Sequence, residues 1–140
     1  MRIKLQNQYI ITLIPFLQNM KLKGERSRAR SKFLSLAMES YYSLHESEVE
    51  LLKEYAELDE AGEPKQGESG FTLKKETAME YLVERDKLFT EVAEIEGGTY
   101  TSHLELMRQI LADYDEELDG DNAALYDALC DSFEGVSGDG

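Results

Sequence analysis

The chain has 140 residues, with 15 basic and 29 acidic side chains, a formal net charge of −14 and 41% hydrophobic residues. That length fits a single domain able to bury about two-thirds of its unfolded surface. No apolar run is long enough to cross a bilayer, one cysteine excludes an internal disulfide or a cysteine-based zinc site, and two histidines offer little for metal chemistry.

Charge is unevenly spread. Residues 1–32 hold eight basic side chains and one acid, net +7, whereas residues 33–140 are net −21. Beyond Arg108 there is no Lys or Arg and ten acids follow. Two readings stay open: a basic segment and an acidic surface for separate partners, or segments that attract each other within one fold. The second is favoured, because a compact domain brings them within a Debye length of about 8 Å.

Residues 2–6 (RIKLQ) alternate polar and apolar, the pattern of a short half-buried strand. Residues 8–19 carry Ile10, Ile11, Leu13, Ile14 and Leu17 near helical spacing, with Pro15 expected to kink the helix or delay its start. This run follows Arg2 and Lys4 but is broken by Gln and Asn and followed by a basic block, so it reads as core and not as a secretory leader. Gly24 marks a turn. From Glu25 to Leu58, Leu34, Ala37, Tyr41, Leu44, Leu51, Tyr55 and Leu58 fall on steps of three and four with only Glu48 out of place, predicting one long helix with a capping-box spacing at Ser47 and Glu50 that could break it.

Residues 59–73 contain Gly62, Pro64, Gly67 and Gly70 and read as a loop or small hairpin. A second helix is expected over 76–93, capped by Thr77 and Glu80, with Ala78, Tyr81, Leu82, Leu88, Phe89 and Val92 on one face. After a turn or extended piece over 95–101, Ser102 and Glu105 predict a third helix to Leu118, with Tyr114 and Leu118 facing inward. Asp119-Gly120 should stop it, and Asp121 should cap a short last helix carrying Leu125, Leu129 and Phe133. The expected fold is mainly α: one long helix in the N-terminal half packed on two or three shorter ones, with a minor β element, in a single domain over 1–134 and a tail over 135–140.

Reaction chemistry is sparse. A calcium loop begun at Asp115 places Glu117, Asp119 and Gly120 correctly, but its twelfth position is Tyr126 where a bidentate Glu is needed. His45 and His103 have no orienting neighbour in sequence, and Cys130 sits among acids that raise a thiol pKa. No nucleophile elbow, phosphate loop or zinc-protease motif occurs. No enzyme activity, cofactor or metal is therefore expected. The interaction residues singled out are Lys21, Lys23, Arg26, Arg28 and Arg30 in the basic block, and Asp115, Glu116, Glu117, Asp119 and Asp121 in the acidic segment. Arg26, Arg28 and Arg30 are expected at the start of the long helix, with some of them facing acids of the last third. Nucleic acid is disfavoured as a partner because a body of net −21 repels a polyanion.

Residues 22–33 (LKGERSRARSKF) and 51–64 (LLKEYAELDEAGEP), with 95–100 (IEGGTY) and 114–120 (YDEELDG), resemble an uncharacterised small-protein family of tailed phages and prophages of Gram-positive bacteria. The resemblance carries no assigned activity or catalytic residues. It implies a phage origin and a gene near the tail and lysis functions. The resulting expectation is a protein-binding accessory protein of tail or virion assembly, located in the host cytoplasm or the virion, with a phage or host protein as partner, no membrane, and an oligomer left open. The alternative is an acidic inhibitor of a host defence or nucleic-acid-binding protein, presenting carboxylates where DNA phosphates would sit.

Overall fold

The computed structural model describes residues 2–67, 70–96 and 102–137. Among them the architecture is mainly α, as the sequence pattern implies. Strand β1 (Arg2–Gln6) leads into helix α1 (Asn7–Gln18), then the long α2 (Gly24–Tyr55), the short strands β2 (Gln66–Gly67) and β3 (Gly70–Phe71), α3 (Ala78–Thr90), β4 (Val92–Glu96), α4 (Ser102–Ala112) and α5 (Gly120–Ser137). The residues group into two compact units, Met1–Tyr41 with Val92–Gly140, and Tyr42–Glu91.

In the first unit, Ile3 and Leu5 of β1 are buried while Arg2 and Lys4 are exposed, so the alternation in sequence is the alternation of the strand. Its antiparallel partner β4 sets Ile3 opposite Ile95, Arg2 opposite Glu96 and Lys4 opposite Glu94. The charged side chains pair across the exposed face: Arg2 lies 2.7 Å from Glu96 and 3.6 Å from Glu94, and Lys4 lies 4.0 Å from Glu94. Helix α1 buries Ile10, Leu13, Ile14, Phe16 and Leu17, so the N-terminal apolar run is core. Pro15 sits inside this helix and not at its start. It removes the bond to the Ile11 carbonyl, at a residue exposed enough for water to replace it.

The N-terminal part of α2 contributes Ala29, Phe33 and Ala37 to the same core, and α5 contributes Leu125, Leu129 and Phe133. Phe33 and Phe133 meet edge-to-face with centroids 5.6 Å apart. Ser132 Oγ lies within bonding distance of the Lys4 carbonyl, 128 residues away in sequence, and ties α5 to β1.

In the second unit, Tyr55 at the end of α2 meets Tyr81 of α3 with ring centroids 6.1 Å apart. Leu44, Ala56 and Phe89 are its buried apolar residues among those described. The glycine-rich loop carries the β2–β3 pair and is closed by the bridges Ala56–Leu73 and Leu58–Pro64. Asp59 Oδ1 accepts bonds from the backbone N–H groups of Ala61 and Glu63.

Several boundaries differ from the sequence expectation. Helix α2 runs unbroken past Ser47 and Glu50, because residues 25–55 contain neither Gly nor Pro. Thr77 precedes α3 without a side-chain cap bond, so the expected capping box is not made. Val92 and Ala93 leave the helix for β4, and both Leu82 and Val92, expected inward, are exposed. Helix α4 ends at Ala112, six residues before Leu118. Its last turn has no basic residue and is followed by Asp113, Asp115, Glu116 and Glu117, which oppose the negative end of the helix dipole. Gly120 does not close a helix but opens α5 with a φ of 53°, and the Asp119 carbonyl accepts the first helical bond, from Ala123 N. Asp121 therefore sits inside the first turn. Helix α5 is also long, continuing to Ser137 through part of the segment read as a tail. Of the turn or extended piece expected over 95–101, residues 95 and 96 extend as the end of β4, whereas 97–101, like 138–140, lie outside the described residues.

Candidate functional site

The C-terminal end of α1, the start of α2 and the α4–α5 connection meet around a groove of about 580 Å³ within the first unit. Phe16 and Ile110, both buried, form its floor with the half-buried Met20, Leu22, Tyr114 and Leu118. Phe16, Tyr114 and Tyr126 form an aromatic cluster, with Tyr114 5.4 Å from Phe16 and 5.3 Å from Tyr126. Behind it, Tyr126 Oη donates to the Leu111 carbonyl at 2.5 Å and so satisfies the end of α4. Burial and the bond with Cys130 push the Tyr126 phenol up to about 12. Burial, reinforced by Glu116 and Asp115, also raises the phenol of Tyr114.

Charge of both signs rims this floor. Lys21 and Arg26 come from the basic block, and Asp113, Asp115, Glu116 and Glu117 from the connection. Arg26 Nη2 bonds Asp113 Oδ2 at 2.7 Å, joining residues 87 apart in sequence. Among the described residues, Lys21, Asp115, Glu116 and Glu117 have no ion-pair partner. The groove can therefore offer hydrogen bonds and charge at its edge while an apolar or aromatic group fills its floor.

Of the ten interaction residues read from sequence, five meet here: Lys21, Arg26, Asp115, Glu116 and Glu117. Arg30 is engaged internally. Its Nη1 donates to the carbonyls of Leu17 (2.9 Å) and Met20 (2.8 Å), capping α1, and Nη2 lies 3.3 Å from Ser27 Oγ. Arg28 lines a separate cavity of about 350 Å³ with Glu25, His103 and Glu105. Lys23 is exposed and lines neither. Asp119 and Asp121 are exposed at the start of α5, outside the groove.

The calcium loop considered at Asp115 does not form, since residues 120–126 are helical, and no group of three or more potential metal ligands occurs among the described residues. Cys130 packs half-buried against the core, with its thiol raised first by burial and then by Glu134, Asp127 and Asp131. His45 is exposed and His103 half-buried.

Sequence reasoning missed Asp113 as the partner of Arg26, and missed Phe16 and Tyr114 as the floor. Asp113 was visible only as one acid of a run. The apolar periodicity that marks Tyr114 as inward omits Phe16, and it does not show that one end of the core opens to solvent. Comparison with known proteins finds no matching family model, no matching curated protein and no matching solved structure.

Proposed function

We propose that the chain is a non-enzymatic, phage-encoded accessory protein that works by binding another protein in tail or virion assembly. The observation that carries the binding part of this reading is the groove of the first unit, where an aromatic and aliphatic floor is rimmed by unpaired Lys21, Asp115, Glu116 and Glu117. Aromatic anchors at the centre with polar groups around them are the make-up of protein–protein seats. The partner segment this favours inserts one large apolar side chain between Phe16 and Leu118 and sets a Lys or Arg against Glu116 and Glu117. A nucleic-acid mimic would need acids in an unbroken run, whereas Lys21 and Arg26 stand among these, so docking is preferred to the inhibitor reading. The phage and assembly part rests on the resemblance of residues 22–33, 51–64, 95–100 and 114–120.

The test is co-purification of a tagged chain from phage-producing cells. The expected result is recovery of a tail or other virion component, lost in Glu116→Gln/Glu117→Gln/Leu118→Ser. Absence of the chain from both particles and assembly intermediates contradicts the reading. A host nucleic-acid-binding protein recovered only at low salt would give the function to the inhibitor class.

A further inference from the structure

Helix α3 carries one broad apolar arc in two parts. One is satisfied within the second unit: Tyr81 meets Tyr55, and Phe89 is buried beneath the Arg85 guanidinium, 4.3 Å from the ring centroid. The other carries Met79, Leu82 and Val83 at positions i, i+3 and i+4, which share one stripe of a helix. They are 74%, 54% and 53% exposed. Single exposed apolar residues are ordinary, but three large ones contiguous on one stripe and rimmed by charge mark an interaction surface. The stripe shares no residue with the groove of the first unit.

The rim says what covers it. Residues 42–91 hold 14 acidic and six basic side chains, net −8. The cations nearest the C-terminal part of the stripe are already engaged: Lys87 lies 3.1 Å from Glu84, and Arg85 covers Phe89. Glu76, Glu80, Asp86 and Glu91 have no ion-pair partner among the described residues. Lys74 and Lys75 stand only at the N-terminal end. A second copy of this unit would bring −8 against −8 within a Debye length of about 8 Å. A helix that is apolar on one face and basic along its flank matches both the stripe and the free charge.

We infer that Met79, Leu82 and Val83 of α3 form a docking site for a basic amphipathic helix of a protein partner, whose Lys or Arg residues face Glu80 and Asp86. This surface acts independently of the groove, so either can fail without the other.

The experiment titrates the full chain into a labelled synthetic Leu/Lys amphipathic helix, followed by fluorescence anisotropy, with a Leu/Glu helix of the same pattern as control. The Leu/Lys helix is expected to bind and the Leu/Glu helix not to. Leu82→Ser/Val83→Ser should weaken binding about tenfold. Glu80→Gln/Asp86→Asn should weaken it less and flatten its salt dependence, and Glu116→Gln/Glu117→Gln, which silences any binding of the helix by the groove, should leave the loss caused by the stripe variants in place. Met79→Ser gives a second reading should the double variant not fold. Undiminished binding by the folded stripe variants overturns the inference. So does sedimentation showing a dimer that those variants turn into a monomer, which would assign the stripe to a second copy.

Discussion

Arg26 and Arg30 lie one turn apart on α2 and have unequal consequences. Arg30 holds the carbonyls of Leu17, in the last turn of α1, and of Met20, two residues beyond it. Removing a charged donor from such acceptors costs about 1.5–3 kcal/mol, so Arg30→Ala should lower the unfolding free energy measured by urea titration by that amount, and Arg30→Lys, which lacks the forked geometry, should recover only part. Arg26 pairs with Asp113 on the surface, where the pair is worth about 0–1 kcal/mol, so Arg26→Gln should cost little and only at low salt. Tyr126 supplies a pH signature. Its phenol is raised from 10.0 to about 12, so the neutral form is favoured in the fold. The resulting stability is complete below about pH 10 and is lost as pH rises through about 12. In Tyr126→Phe this decline should shrink, alongside a constant loss of about 0.5–1.5 kcal/mol for the bond to Leu111. Urea unfolding at pH 8 and at pH 11 separates the two.

At the scale of elements, two long helices begin on glycines with positive φ: Gly24 at 61° opens α2 and Gly120 at 53° opens α5. A Cβ at either position meets nothing within 4 Å, so the cost of Ala is backbone strain alone, about 1–2 kcal/mol, and Asn should cost less. Thermal melts of the four variants check the order. Phe33→Ala and Phe133→Ala should each cost about 3–5 kcal/mol, because both rings are buried against each other. Much of this architecture is readable beforehand. Arg2–Gln6 alternates because one face is wet, and the three-and-four spacing after Glu25 follows a helix without breakers. The early end of α4 is not readable by periodicity, since Tyr114 and Leu118 keep helical spacing with Leu111 while packing from a non-helical segment. Nor is β4: Val92 and Ala93 extend the α3 pattern until β1, ninety residues earlier, offers its edge.

For the molecule as a whole, the bipolar charge resolves into two parts. Arg2, Lys4 and Arg26 are ion-paired to acids from the C-terminal half of the chain, and Arg30 caps a helix, so much of the N-terminal excess is used inside the fold. Lys21 with Asp115, Glu116 and Glu117 is left at a groove with an aromatic floor. The central claim is that this groove seats another protein. It is tested most directly by placing a photo-crosslinking residue at Leu118, on the groove, and in a parallel variant at the exposed Glu39 of α2, and illuminating phage-producing cells. The expected result is a cross-link from position 118 to one virion or tail protein, absent from position 39 and abolished by Glu116→Gln/Glu117→Gln. Identical cross-linking from both positions, or none from position 118 in a folded chain, would contradict it.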